Sequence, residues 1–220
     1  MGVIALVFDP LRRIAEAGGP VVVILMGVAV LTLAVALYKL WQFWTSGVGR
    51  HRALGDAVQA WDRGDRAVAR AALTRSSSYL APVIDMAFSA RPDMTERLQA
   101  EVESRFARLE RGFRFLDSVA QLAPLLGLFG TVLGMIEAFR SLQDAGAQVD
   151  PSILAGGIWV ALLTTAVGLV VAMPTALILS WLESRMEAER VIADAAILTV
   201  MHPVGRHVER NALDMVAVHG

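Results

Sequence analysis

Ile153-Leu-Ala-Gly-Gly-Ile-Trp-Val-Ala-Leu-Leu-Thr-Thr-Ala-Val-Gly-Leu-Val-Val-Ala-Met-Pro-Thr-Ala-Leu-Ile-Leu-Ser-Trp-Leu182 contains no ionisable side chain. At 1.5 Å per residue, about thirty helical residues exceed a hydrocarbon core of roughly 30 Å, so this helix must tilt or run on beyond the bilayer. Pro151 and Ser152 mark its start, and Glu183-Ser-Arg185 its exit. Two further stretches have the same character. Val21 to Tyr38 holds only Thr32 as a polar break and ends in Lys39, Trp41, Phe43 and Trp44, an interfacial belt. Phe115 to Phe139 carries Leu122-Ala-Pro-Leu-Leu-Gly-Leu-Phe-Gly-Thr-Val-Leu-Gly-Met135 at its centre, with Asp117 at its entry and Glu137 near its exit. The expected fold class is all-α, an integral membrane protein with three transmembrane helices and long helices extending into a helical cytoplasmic domain.

Composition agrees. Apolar residues make up 55% of the 220-residue chain, too many to coat a globule that never meets lipid, and the charges crowd into its middle. The net charge of −1 suggests no polyanionic partner, so nucleic acid is not expected. There is no cysteine, and the four histidines lack ligand spacing, so neither a disulfide, a metal nor another cofactor is expected. The N-terminus does not read as a secretory signal, because its apolar run is too long and no small-residue cleavage site follows.

The expected organisation is an amphipathic periplasmic segment over 1–19, spans at 20–44, 115–140 and 153–182, a cytoplasmic helical domain over 45–114, a periplasmic loop over 141–152 and a cytoplasmic C-terminal helix over 183–220. Orientation rests on the basic residues. Arg108, Arg111 and Arg114 flank the loop between the first two spans, whereas the link between the second and third holds Asp144 and Asp150 with Arg140 at its edge. Arg12 and Arg13 oppose this modestly; residues 2–17 are expected to lie on the membrane with Leu6, Phe8 and Ile14 down.

Within 45–114, Ala53–Trp61 and Asp65–Leu73 read as a helical hairpin turning at Gly64, Ser76–Ser78 as a loop and Leu80–Phe88 as a further helix. Pro92-Asp93 before Glu96 resembles a capping box. Leu98, Val102, Phe106, Leu109, Phe113 and Leu116 then form one apolar stripe, expected to run into the second span as a single helix.

No catalytic set is visible: there is no phosphate loop, no nucleophile beside a base and no paired carboxylates. The informative residues are small or hydroxylic. Gly127, Gly130 and Gly134 let helix backbones approach. Gly157, Ala161, Thr165, Gly168 and Ala172 share one face of the third span and either pack tightly or line a narrow channel, with Thr164 adjoining them. Thr131 either bonds back to a preceding carbonyl or faces a pore. Pro174 removes the amide that would bond Val170, leaving that carbonyl to water or to a plain kink. Glu137, with Arg140 three residues on, reads better as an interfacial ion pair than as a titrating intramembrane acid.

The stretches 123–135 and 155–174 together resemble the second- and third-span signatures of the MotA/TolQ/ExbB family, with the ExbB and TolQ members nearest in order, spacing and topology. The resemblance covers about Leu109 to Leu182. It implies a homo-oligomeric ring, a pentamer in the family, in the inner membrane around a dimer of a single-span ExbD/TolR-like partner whose intramembrane aspartate carries protons. A TonB/TolA-like third protein is a further expected partner. It also implies that Thr131 and Thr165, with Thr164 beside them, line the proton path, and that Gly127, Gly130, Gly134, Gly157, Ala161 and Gly168 serve helix packing and the ring interface. One departure stands out. ExbB and TolQ proteins usually carry a glutamate where this chain has Val160, a loss that MotA-type members share. The alternatives are a flagellar-stator-like subunit or a non-conducting scaffold of the same fold; a solute transporter, which would need internal repeats, ranks last.

Overall fold

The computed structural model describes residues 2–144 and 151–204. Among these residues every regular element is helical: α1 (Gly2–Thr45), α2 (Arg52–Asp62), α3 (Arg66–Thr74), α4 (Ala81–Ser89), a 3-10 turn (Pro92–Met94), α5 (Thr95–Leu109), α6 (Phe113–Asp144) and α7 (Pro151–Met201). Three stretches, Gly18–Thr45, Phe113–Asp144 and Leu154–Met201, are long and apolar enough to cross a membrane. The chain divides into two compact units.

The first unit comprises Met1–Tyr38 and Gly112–Trp181. α1 is interrupted at Gly19 (φ 68°, ψ −166°), a backbone conformation open to glycine, and Pro20 follows without an amide to offer the preceding turn. Beyond the break, α1 packs Val21 and Leu25 against Val119 and Ala123 of α6 and Val171 and Ala172 of α7. The opposite helix faces leave Ile24, Leu125, Phe129, Val170 and Leu177 exposed on the single chain, an apolar surface suited to lipid or to neighbouring helices. Thr32, buried in α1, donates to the carbonyl of Val28 at 2.7 Å and so needs no other partner.

The second unit comprises Lys39–Arg111 and Leu182–Gly220. α2 and α3 form the expected hairpin. Gly64 turns it with φ 89°, and Asp65 caps α3 by accepting from the Val68 amide at 3.2 Å. Trp61 stacks on Phe88 with ring centres 4.0 Å apart, carries the Arg66 guanidinium at 3.5 Å and donates its indole N–H to the Val200 carbonyl at 3.0 Å. Leu98, Val102, Phe106 and Leu109 of α5 are buried, as the apolar stripe requires.

Three expectations change. The stripe does not run on as one helix: α5 ends at Leu109 and α6 begins at Phe113, because Gly112 adopts φ 100° between them. α5 starts at Thr95 from the 3-10 turn, and its N-cap position is Met94, whose side chain makes no capping bond. Lys39, among the residues that end the first span, is buried. It is 2% exposed, and its ammonium donates to the Leu109 carbonyl at 3.0 Å and to Gln42 Oε1 at 2.7 Å, capping the C-terminus of α5. The helix expected over 183–220 is the distal part of α7 and stops at Met201, where Pro203 cannot continue the amide ladder. Residues 205–220, residues 145–150 of the expected periplasmic loop and the side chains of Leu6, Phe8 and Ile14 lie outside what is described.

Candidate functional site

The small residues singled out from the sequence meet along one seam inside the first unit. A Cβ placed on Gly127 would lie 2.9 Å from the Thr164 carbonyl oxygen, and one on Gly168 would lie 2.6 Å from that of Ala123. A Cβ on Gly130 would sit 2.7 Å from the Thr164 side chain, and one on Gly134 3.2 Å from the Ala161 methyl. On Gly157 it would collide with Ala138. Helices α6 and α7 therefore approach at backbone distance, and all six residues expected at helix contacts are engaged within the chain itself.

Two threonines close this seam. Thr164, 2% exposed, donates toward two carbonyls, Ala161 at 2.7 Å and Gly127 at 3.1 Å. Thr165 is half-buried and reaches the same Gly127 carbonyl at 3.3 Å, past the usual length of an O–H···O bond. The Thr164 hydroxyl is thus held firmly by the Ala161 carbonyl of its own helix and lies 3.1 Å from the Gly127 carbonyl oxygen, whereas the Thr165 hydroxyl has only the longer contact with that atom. Consecutive helical residues point about 100° apart, yet both threonines reach the atom because Gly127 has no side chain to keep them off.

Thr131 lies one turn on along α6. It is half-buried and bonds back to the Leu128 carbonyl at 2.6 Å. It borders an open cleft of about 920 Å³ lined also by Met135, Ile136, Phe139 and Arg140. Val160 is half-buried. Pro174 is exposed, and α7 passes through it without a break. Glu137 and Arg140 are exposed, and among the described residues no ion pair joins them; an exposed i,i+3 pair gains only about 0.2–0.5 kcal/mol, little against solvation of two free side chains.

Residues 60–194, more than half of the chain, match the MotA/TolQ/ExbB proton channel family. The chain belongs to that family. ExbB of Neisseria meningitidis is 31% identical over 78% of this chain and 86% of its own length. An ExbB homolog of Methanothermobacter thermautotrophicus is 26% identical over 83% of this chain and 66% of its own. The Tol-Pal system protein TolQ of Haemophilus influenzae is 39% identical over 43% of this chain and 40% of its own. The chain thus spans less than two thirds of the length of two of these three relatives. The MotA/TolQ/ExbB family comprises channel components rather than enzymes.

This family member holds one polar cluster that the sequence reading overlooked, in the second unit. Glu189 of α7 is 1% exposed. Its carboxylate accepts from the Gly49 amide at 2.8 Å and the Tyr79 hydroxyl at 2.9 Å, and pairs with His51 Nε2 at 2.6 Å. His51 Nδ1 lies 3.2 Å from the Ser78 hydroxyl. Burial, and then the bond to Glu189, raise the Tyr79 pKa, so its hydroxyl stays protonated as the donor. A signal existed. Leu182, Met186, Ala193, Ile197 and Val200 form the buried stripe of α7, and Glu189 falls on it at helical spacing.

Proposed function

We propose that this protein is the ring-forming subunit of a proton-driven motor of the ExbB/TolQ kind, multi-pass in a bacterial inner membrane. In this reading several copies, five by family expectation, surround a dimer of a single-span ExbD/TolR-type protein. Proton passage onto and off the partner's intramembrane acid then drives motion that a TonB/TolA-like protein carries across the envelope. Family membership supports the class of activity. The observation that carries the site is the contrast between Thr164, buried and bonded to the Ala161 carbonyl at 2.7 Å, and Thr165, half-buried with only a 3.3 Å contact to the Gly127 carbonyl.

An isolated carboxyl group in hydrocarbon is costly, so it needs a cavity that is apolar enough to exclude bulk water and polar enough to bond both protonation states. Thr165 suits this need. Its own bond is long and it is half-exposed, so its hydroxyl can leave Gly127 and donate to a carboxylate. Thr131, half-buried beside the cleft, is the second such hydroxyl. Thr164 stays behind as a strut between the helices. A proton crossing 150 mV delivers roughly 3.5 kcal/mol, at about 2.3 kcal/mol per 100 mV, enough to change the bonding partner of a hydroxyl.

The test is reconstitution. Vesicles holding this chain with an ExbD/TolR-type partner should take up protons under an imposed potential, and vesicles holding the chain alone should not; native mass spectrometry should show one closed ring per partner dimer. A ring that binds its partner without proton uptake would favour the non-conducting scaffold, the reading that Val160 in place of the usual glutamate supports. Orientation has its own check on a cysteine-free background. A cysteine at Ser77 should resist an impermeant thiol reagent in intact cells, and one at Ala147 should react; the reverse pattern overturns the topology.

A further inference from the structure

The segment between α1 and α2, residues 46–51, is held by little of its own. Its local bonds are Ser46 N–H to the Gln42 carbonyl, Val48 N–H to Phe43, Arg50 N–H to Gly47 and a 3.2 Å contact of Gly49 N–H with His51 Nε2. Two of its residues, Gly47 (φ 72°) and Gly49 (φ 83°), adopt a conformation that side-chain-bearing residues avoid. What fixes it comes from elsewhere in the same unit. Gly47 lies so near the Ser77 carbonyl that a Cβ would be 2.6 Å from it, and a Cβ on Gly49 would collide with the Arg185 guanidinium. Above all, Glu189 gathers Gly49, His51 and Tyr79 onto one carboxylate. The Tyr79 carbonyl is tied in turn to Arg105 at 3.2 Å. Arg190, the nearest cation in sequence, is engaged with Glu110 at 2.8 Å and Glu103 at 3.5 Å and does not serve Glu189.

A buried carboxylate with three donors and, among the described residues, no arginine or lysine bonded to it is a costly way to hold a turn that one more apolar contact could have held. Its consequence is stiffness. Within the second unit, Glu189 sits on the distal part of α7, and its carboxylate ties that part of the helix directly to the turn and to the 76–79 loop. We infer that Glu189 is a positioning residue, a clasp that fixes the α1–α2 turn and the Ser76–Tyr79 loop to α7 so that motion of α7 is converted into work and not absorbed by the turn. The inference rests on the motor reading above; the clasp itself does not.

Glu189→Gln keeps the volume and sets an N–H2 against donors from His51 and Tyr79. Amide hydrogen exchange on the full chain in lipid nanodiscs should then rise about tenfold or more at residues 46–51 and 76–80, with α3 and α6 unchanged. Tyr79→Phe removes one donor and leaves the carboxylate satisfied by Gly49 and His51, so it should give a smaller rise, confined to 76–80. With the ExbD/TolR-type partner present, Glu189→Gln should retain most proton uptake into vesicles and lose partner-dependent envelope function in cells. Unchanged exchange at 46–51 in Glu189→Gln overturns the clasp regardless of what the chain does. Raised exchange, with uptake and envelope function falling in equal proportion, overturns the positioning role and leaves ordinary destabilisation. Absence of proton uptake by the wild-type chain counts against the motor reading alone, since the exchange result stands without it.

Discussion

At the α6–α7 seam the polar side-chain atoms are hydroxyls, each turned onto a backbone carbonyl and none carrying charge. At Glu189, on the distal part of α7, a full carboxylate is buried and satisfied by an amide, a phenol and an imidazole. Both arrangements remove polar groups from water. They differ in what they permit. A hydroxyl on a carbonyl contributes about 1 kcal/mol net and can be exchanged for another acceptor at little cost, whereas a buried carboxylate that loses its donors leaves several unsatisfied groups at once. The seam is built from parts that can change partners, and the cluster from parts that cannot.

Steric substitution should separate the two regions most sharply. Gly168→Leu places a branched side chain where even a Cβ lies 2.6 Å from the Ala123 carbonyl, and backbone cannot step aside as a side chain can. It should cost about 3 kcal/mol or more, read as loss of the folded chain in detergent by thermal denaturation. Gly130→Leu meets the movable Thr164 side chain first and should cost less; equal costs would mean that the seam does not distinguish backbone from side-chain contact.

Next in size is Glu189→Ala. It strands the Gly49, His51 and Tyr79 donors and should lower stability by about 2–4 kcal/mol, measured by the same denaturation. A change below about 1 kcal/mol would show the cluster to be solvated, not buried. Smaller still is Thr164→Val, which keeps the shape and deletes bonds to two carbonyls that remain partly satisfied within their helices, at about 1 kcal/mol.

The two regions were also unequally legible in the sequence. The seam could be read because its signal is compositional: uncharged runs long enough to cross a bilayer, with Gly127, Gly130, Gly134, Gly157, Ala161 and Gly168 at helical spacing. What spacing could not say is that these residues face each other within one chain, since a small face packs equally well against a neighbouring copy. The α5–α6 break escaped because Leu109, Phe113 and Leu116 keep the apolar stripe in phase across Gly112, and one glycine inside a periodic run is usually tolerated in a helix. Glu189 escaped for a related reason. It follows Glu183, Arg185 and Glu187, and in a run of charges it reads as one more solvated residue unless the stripe from Leu182 is followed through it. The burial of Lys39 was not legible because its acceptor, the Leu109 carbonyl, lies seventy positions away in the chain.

The central claim is that the loosely held hydroxyl of Thr165, and not the Thr164 hydroxyl held by Ala161, serves the proton path. Proton uptake into vesicles containing the chain and its ExbD/TolR-type partner, compared between Thr165→Val and Thr164→Val, tests it most directly. Thr165→Val loses only a 3.3 Å bond, so the ring should assemble normally, while loss of a hydroxyl bond to a charged carboxylate, about 1.5–3 kcal/mol, should slow uptake about tenfold or more. Thr164→Val should be somewhat less stable and conduct near the wild-type rate. Wild-type uptake in Thr165→Val together with abolished uptake in an assembled Thr164→Val ring would contradict the account and put the path on the other face of α7.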